Sequence, residues 1–216
     1  MKRKFFAEAI GTAMLLISVI GSGIMGVALA QGNDAITLLA NAIATGCMLF
    51  VIITVLGHIS GAHFNPAVSL AFFLRGELSG AAFAGFVVAQ IIGAFLGVWA
   101  AHLMFDLPVL QISQTVHRTG GGQWFSEALA TLGLLFVIFG GLRARPDAVP
   151  VLVALYITGA YWFTASTSFA NPAVTLARGF SDTFAGIYPG HIAMFIVIQL
   201  LATLVAHFAL KALLDE

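Results

Sequence analysis

The tripeptide Asn-Pro-Ala occurs twice in an otherwise apolar chain, at residues 65–67 and 171–173. Asparagine is a favoured helix N-cap, and proline is favoured at the first helical position, where its missing N–H costs no hydrogen bond. Each tripeptide therefore predicts the start of a helix. The side-chain amides of the two N-caps could also donate hydrogen bonds to a passing molecule. The residues concerned are Asn65, Pro66, Ala67, Asn171, Pro172 and Ala173.

The length available to these helices indicates where they lie. A helix running from Asn65 to Leu74 would be about 15 Å long, half of a bilayer core of about 30 Å. Two such half-helices, one from each membrane face, would meet at the midplane. The non-helical segments before them, 60–63 and 166–170, must then be buried or line a water-filled path.

The meeting point has a predictable electrostatic character. A helix N-terminus is equivalent to roughly half a positive charge, so cations are repelled there. An ion stripped of its water would also pay a desolvation cost on the order of tens of kcal/mol. We therefore expect the site to admit small uncharged solutes that accept hydrogen bonds from Asn65 and Asn171.

The rest of the chain consists of elements that can hold these helices in a lipid bilayer. Hydrophobic residues make up 60% and charged residues 8% of the sequence, and the mean hydropathy is +1.03, far more apolar than soluble domains. Net charge is zero, so no nucleic-acid partner is implied. Six stretches are long enough to span a bilayer. They are Phe5–Ala30, Ala35–Leu56, Leu78–Phe105, Trp124–Leu142, Ala148–Ala170 and Ile187–Leu210.

Lysine and arginine are unevenly distributed between the connections. Lys2, Arg3, Lys4, Arg75, Arg143, Arg145 and Lys211 would share the side of the N-terminus, against Arg118 and Arg178 opposite. Because cytoplasmic loops carry the excess of basic residues, both termini are predicted to be cytoplasmic.

The two halves of the chain resemble each other. AEAIGTAMLLISVIG at 7–21 matches SEALATLGLLFVIFG at 126–140, and NPAVSLA at 65–71 matches NPAVTLA at 171–177. This echo also argues that the basic, apolar N-terminus is a structural element rather than a cleaved signal peptide. Because each half has three spans, the second half must be inverted relative to the first. The sequence predicts a single all-α membrane domain over 1–216, with six transmembrane helices and two re-entrant half-helices, and with inverted repeats at 1–105 and 124–216.

These motifs resemble those of a known family. GHISGAHFNPAV at 57–68 and the second Asn-Pro-Ala at 171–173 are similar to the signatures of the aquaporin and glycerol-facilitator family, also called the major intrinsic proteins. The resemblance implies a passive channel for small neutral solutes, a homotetramer with one pore in each subunit, and no cofactor. Together with the short termini, it indicates a bacterial plasma membrane.

The family's narrowest point is formed by four positions that are counted from the two asparagines. Here they correspond to Thr45, Gly159, Ser168 and Val174. Most relatives have arginine directly after the second Asn-Pro-Ala, so Val174 departs from the pattern. None of the four carries a charge or an aromatic ring, which predicts a wide, weakly polar constriction.

Such a constriction favours solutes larger than water. Gly159 matches the glycerol-conducting pattern, and relatives without the arginine occur among bacterial channels associated with arsenic resistance. Glycerol-like polyols and metalloid hydroxides such as arsenous acid, together with water, are both open as solutes at this point.

Two further polar residues are candidates for the vestibules of the pore. His63 is expected to face the inner vestibule. Arg178 follows Val174 by four residues, so its guanidinium could curl into the outer vestibule and restore the missing charge. The sequence favours the ordinary alternative, a cation at the membrane interface near a helix C-terminus.

Glu8 and Glu127 are carboxylates within predicted spans. Intramembrane carboxylates often relay protons, which would suit a proton-coupled secondary transporter with an inverted repeat, our alternative function. Their placement beside the two dipping segments, and the family resemblance, favour a structural role in accepting hydrogen bonds from the backbone of those segments. No serine or cysteine lies in a nucleophile motif, and Cys47 is the one cysteine, so we expect neither a catalytic nor a metal site.

Overall fold

The computed structural model describes residues 1–214, so the last two residues of the predicted 1–216 domain and of the 124–216 repeat lie outside the described residues. Within residues 1–214 the chain is all-α, with eight α-helices, one short 3-10 helix at Pro146–Ala148 and no strand. The helices are α1 Lys2–Leu29, α2 Asp34–Ser60, α3 Pro66–Leu74, α4 Gly80–Met104, α5 Gly121–Ala144, α6 Val149–Phe163, α7 Pro172–Arg178 and α8 Pro189–Leu214.

Six helical segments in the described chain are long and apolar enough to cross a membrane: α1, α2, α4, α5, α8, and α6 together with the 3-10 helix before it. The prediction of six spans is confirmed, but the fifth was predicted to continue to Ala170. The helix ends at Phe163, and Thr164 is already extended, with φ −109° and ψ 137°. The apolar composition continues past this point, while the backbone leaves the helix to approach α5.

The two short helices, α3 and α7, begin where the Asn-Pro-Ala tripeptides predict. Asn65 is the N-cap of α3, and its side chain accepts a hydrogen bond from the N–H of Ala67 at 2.8 Å. Asn171 is the N-cap of α7 and accepts from Ala173 and Val174. The helices span 9 and 7 residues, too short to cross a bilayer core of about 30 Å.

The long helices pack in two similar groups. In the first half, α1 packs against α2 and α4, and in the second half α5 packs against α6 and α8. Contacts between α2 and α6, between α3 and α8, and between α4 and α7 join the halves. The short helices are thus enclosed by helices of both halves.

The α1–α4 contact depends on two glycines of α4. A Cβ atom at Gly93 would lie 2.1 Å from the carbonyl oxygen of Ala9, and one at Gly97 would lie 2.3 Å from that of Ala13. The two backbones therefore approach more closely than any side chain would permit, as is common between membrane helices. This contact fixes α1, and with it Glu8, beside the first dipping segment.

Candidate functional site

Asn65 and Asn171 link the two half-helices to each other. The Nδ2 of Asn65 donates to the carbonyl oxygen of Ala170 at 2.7 Å, and the Nδ2 of Asn171 donates to that of Phe64 at 2.9 Å. Each asparagine thus bonds to the residue that precedes the other. Because Oδ1 of each amide caps its own helix, the orientation of both side chains is fixed from two directions.

Glu8 of α1 anchors the backbone that leads into α3. One of its oxygens accepts from the hydroxyl of Ser60 at 2.6 Å and from the N–H of His63 at 3.0 Å. The other accepts from the N–H of Phe64 at 2.6 Å and from Nε2 of Gln90 at 2.8 Å. The carboxylate is fully buried, and each of its oxygens accepts from two donors.

Glu127 of α5 makes the equivalent bonds in the second half. It accepts from the N–H groups of Phe169 at 2.8 Å and Ala170 at 2.9 Å, and from Nε2 of Gln199 at 2.7 Å. Gln199 also donates to the hydroxyl of Thr175 at 2.8 Å, as Gln90 does to Ser69 at 2.9 Å. The two halves therefore use the same carboxylate, glutamine and hydroxyl arrangement.

These bonds stabilise an unusual backbone in the dipping segments. Ala62 and Phe64 have φ values of 53° and 50°, and Ser168 and Ala170 have values of 52° and 46°. Left-handed residues other than glycine cost on the order of 1–3 kcal/mol each and persist only where the surroundings require them. Here they turn the N–H groups toward the buried carboxylates and leave the opposite side of the segment for the cavity.

A cavity of about 400 Å³ runs along both dipping segments. Its lining includes Leu142 and Pro146 at one end, near the C-terminus of α5. At the other end, near the N-terminus of α5, the lining includes Tyr161 and Arg178. The lining combines polar and apolar side chains. The polar residues include Thr45, His63, Asn65, Ser168 and Asn171, and the apolar residues include Leu15, Val19, Leu49, Val68, Val153 and Ile157.

His63 lies in the cavity wall, beside the start of α3. Its Nδ1 is 3.0 Å from the hydroxyl of Ser69, and its ring stacks on Phe72 with a centroid distance of 4.5 Å. The imidazole is therefore held in one orientation in the cavity wall.

Three of the four residues assigned to the constriction face the cavity, and one does not. Thr45, Ser168 and Val174 line it, while Gly159 is absent from the lining. Gly159 lies off the cavity because counting back from Asn171 takes no account of the rotation of α6. The cavity face of α6 carries Val153, Ile157 and Tyr161 at helical spacing, and a Cβ at Gly159 would instead meet Phe163 at 3.7 Å.

Tyr161, rather than Gly159, is the residue near the end of α6 that lines the cavity. Its hydroxyl lies 3.3 Å from the Oγ1 of Thr45, so that α2 and α6 present a pair of hydroxyls at this end of the cavity. The four-residue spacing from Ile157 is the sequence signal that could have identified it.

Arg178 is buried inside the protein, not at a membrane interface. Its relative exposure is 2%, its Cζ lies 3.4 Å from the centroid of the Phe169 ring, and it lines the cavity. The interfacial interpretation is wrong because Nε donates to the carbonyl of Ala185, which turns the side chain inward. Arg118, from the connection between α4 and α5, lies on the same ring at 5.1 Å, and no sequence motif indicated this.

Comparison with known proteins agrees with this architecture. A family model described as "Major intrinsic protein" matches residues 1–161. The chain belongs to the major intrinsic protein family. The matched part includes the first Asn-Pro-Ala and ends ahead of the second.

Individual relatives extend the likeness over the whole chain. "Aquaglyceroporin AqpS" of Rhizobium meliloti (strain 1021) is 54% identical over 215 residues, covering 100% of this chain and 91% of the relative. "Glycerol uptake facilitator protein-like 6" of Lactiplantibacillus plantarum is 33% identical over 177 residues, covering 73% and 77%. A solved aquaglyceroporin from Plasmodium falciparum superposes with a TM-score of 0.77 at 19% identity, covering 99% of this chain and 97% of that one, which shows the fold.

Membership of the major intrinsic protein family establishes the general activity. The family is one of channels, and this chain is a multi-pass membrane protein that acts as a passive channel for water and small neutral solutes. The predictions of the family, the fold class and the passive channel are confirmed.

Proposed function

We propose that solutes pass along the cavity beside Asn65 and Asn171, and that the channel conducts water together with compact neutral molecules that carry several hydroxyls. Glycerol-like polyols and metalloid hydroxides such as arsenous acid share this chemistry. The observation that carries the proposal is the mixed lining of the cavity, in which polar residues of the dipping segments occur together with many aliphatic side chains. A polyol presents both hydroxyls and hydrocarbon, which suit such a lining.

The asparagines explain how a neutral solute would be held. An amide nitrogen has two N–H donors, and Nδ2 of Asn65 donates one to Ala170 while Nδ2 of Asn171 donates one to Phe64. The second N–H of each is left for a molecule in the cavity. A solute oxygen can accept both of these bonds, whereas a cation cannot.

The narrow end of the path, in this proposal, is formed by Thr45, Tyr161, Ser168 and Val174. Three of these side chains carry a hydroxyl, and Val174 leaves room that an arginine at this position would occupy. Arsenous acid has three hydroxyls in a volume similar to that of glycerol, so the same arrangement suits both. The names of the relatives, an aquaglyceroporin and a glycerol-uptake facilitator-like protein, support this solute class.

The membrane arrangement is part of the same proposal. Basic residues cluster on the side of the N-terminus, which supports cytoplasmic termini. In this proposal the Arg178 end of the cavity faces outside, and the membrane is a bacterial inner membrane. Equivalent bonding by Glu8 and Glu127 supports inverted repeats at 1–105 and 124–216. As the family resemblance implies, the assembly would be a homotetramer with one path in each subunit.

Proton-coupled transport is not favoured. Both carboxylates that could couple protons are fully buried, lie outside the cavity lining, and accept bonds from the dipping backbone. Protonating either would weaken acceptance of bonds from N–H groups that have no other hydrogen-bond partner among residues 1–214.

Flux measurements in liposomes test the proposal. Purified protein in vesicles should accelerate the entry of water, glycerol and arsenous acid over protein-free vesicles, each along its own gradient. Entry of water alone would reject the polyol and metalloid part of the proposal. Accumulation of glycerol against its gradient when a pH gradient is imposed would reject the passive mechanism.

A further inference from the structure

Two arginines share one aromatic ring beside the cavity, and neither forms an ion pair with a carboxylate among residues 1–214. The Cζ of Arg178 lies 3.4 Å and that of Arg118 lies 5.1 Å from the centroid of Phe169. Their relative exposures are 2% and 9%. The ion pairs found in the described part of the chain involve Arg75 and Arg145. Two positive charges therefore lie close together at one end of the cavity. Glu127 attracts both, but within residues 1–214 no acidic side chain forms an ion pair with either.

Arg118 is held by oxygen atoms of the backbone rather than by an acid. Its Nε donates to the carbonyl of Gly186 at 3.0 Å, and its two terminal nitrogens donate to the carbonyls of Ser166 at 3.3 Å and Phe184 at 3.4 Å. Burial lowers the pKa of Arg118 to about 10, so that it is still protonated at neutral pH. With its donors occupied in this way, Arg118 supplies a fixed charge behind Phe169.

Arg178 is held differently and keeps donors unused. Its Nε donates to the carbonyl of Ala185, and neither terminal nitrogen donates to another residue among 1–214. A guanidinium has five N–H donors, of which four belong to these terminal nitrogens. Because the side chain lines the cavity and is otherwise buried, a molecule inside the cavity is the partner within reach.

The guanidinium of Arg178 lies close to the position where Val174 replaces the arginine of most relatives. Arg178 follows Val174 by four residues on α7, one helical turn, and stacks on Phe169, which precedes Asn171 by two residues. Stacking therefore brings the cation back toward the start of α7. Arg178, rather than the residue at position 174, therefore supplies a positive charge at the end of the cavity that Ser168, Val174 and Tyr161 line.

We propose that Arg178, supported by Arg118, forms a solute-binding and cation-rejecting site at this end of the cavity, supplying the charge that Val174 lacks. Its ligands are neutral molecules whose hydroxyl or water oxygens accept bonds from the terminal nitrogens. Hydronium and metal cations are repelled by both guanidinium groups. This inference rests on the proposed path of solutes through the cavity.

Paired measurements on reconstituted protein test the site. Proton conductance and glycerol flux are measured on the same vesicles for the parent, Arg178→Met and Arg178→Lys. Methionine has a similar reach without charge, and lysine keeps the charge without the planar stack. Arg3→Met removes an exposed cation remote from the cavity and serves as the matched control. Size-exclusion profiles in detergent establish that each variant is folded.

A charge-based barrier gives a distinct pattern of results. Proton conductance should rise about tenfold or more in Arg178→Met, equivalent to about 1.4 kcal/mol of barrier, by a smaller factor in Arg178→Lys, and not in Arg3→Met. Arg118→Met should raise it by less than Arg178→Met, since that charge lies behind Phe169. Parental proton conductance in Arg178→Met would overturn the inference, as would equal increases in the methionine and lysine variants, which would indicate lost packing rather than lost charge. Absence of glycerol flux in the parent would instead reject the proposed path.

Discussion

Asn65 and Asn171 each donate to the carbonyl oxygen that precedes the other, at 2.7 Å and 2.9 Å. The two half-helices are therefore linked by the same side chains that face the cavity. A change at either asparagine affects both the join and the chemistry of the path, and a substitution that keeps the helix cap tests these two roles with the start of the half-helix preserved.

Asn171→Asp is such a substitution. A carboxylate can still accept from Ala173 and Val174, but it cannot donate to Phe64 or to a solute, and it places a negative charge in the cavity. We expect conductance of sodium or potassium ions to appear in vesicles while glycerol flux falls. Asn33→Asp is the matched control, because Asn33 also caps a helix, α2, by accepting from Ala35 and Ile36, but at an exposed site. Ion conductance that is equal in both variants would contradict the role of Asn171.

Substitution of Tyr161 tests the proposed constriction. Tyr161→Ala should increase the flux of solutes larger than glycerol, because it removes the ring and the hydroxyl that lies 3.3 Å from Thr45. Gly159→Ala should have little effect, since its Cβ would make only an ordinary contact with Phe163 at 3.7 Å. The measurement is vesicle swelling in a series of polyols of increasing size. The opposite result, a large effect at Gly159 and none at Tyr161, would return the constriction to the position counted from the motif.

Val174→Arg tests whether the valine is what admits larger solutes. An arginine would add a long side chain and a third cation near Arg178, so the flux of glycerol and arsenous acid should fall more than that of water. Stopped-flow measurements of the three solutes on one vesicle preparation give the ratio directly. An equal loss of all three would contradict the assigned constriction.

The buried carboxylates can be tested as structural elements. In Glu8→Gln the amide oxygen can still accept hydrogen bonds. The amide NH2 group cannot accept, and it would face the donors of His63, Phe64 or Gln90. Leaving a buried donor unsatisfied costs about 1–3 kcal/mol, so the variant should unfold at lower temperature or denaturant concentration. Glu77→Gln, at an exposed glutamate that pairs with Arg75, is the control. Loss of uptake only when a pH gradient is imposed, with unchanged stability, would favour proton coupling instead.

The sequence predicted the parts of this architecture that depend on local rules. Six spans follow from apolar length, and the starts of α3 and α7 follow from the capping chemistry of Asn65 and Asn171. The direction in which a side chain points was harder to predict from the sequence. Gly159 was assigned by counting along the chain, whereas the structure shows that the cavity face of α6 carries Val153, Ile157 and Tyr161. Arg178 turns inward because it stacks on Phe169 and donates to the carbonyl of Ala185. Neither residue belongs to α7, so the pattern of that helix alone does not predict these contacts.

The connection that carries Arg118 depends on a carboxylate outside the membrane spans. Asp182 accepts from the N–H of Gln114 at 2.9 Å and from the N–H and hydroxyl of Thr115 at 3.1 Å and 2.8 Å. The bond from Gln114, followed by those from Thr115, holds the pKa of Asp182 below its usual value of 3.8. Because the native pKa lies below the unfolded one, this group stabilises the connection above the unfolded pKa, and the contribution is lost as the pH falls through the native pKa.

Hydrogen exchange at the amides of Gln114 and Thr115 measures this contribution. Protection should be greatest near neutral pH and should decline in acid as Asp182 takes up a proton, after correction for the intrinsic pH dependence of exchange. Asp182→Asn should reduce protection at neutral pH and remove the acid-dependent decline, while Asp34→Asn, in an exposed first turn of α2, should change neither. A decline that persists in Asp182→Asn would assign the pH dependence to another group. Arg118 follows Thr115 by three residues. Loss of the bonds from Gln114 and Thr115 to Asp182 should therefore also raise proton conductance in Asp182→Asn, because the stability of the connection supports the charge barrier beside Phe169.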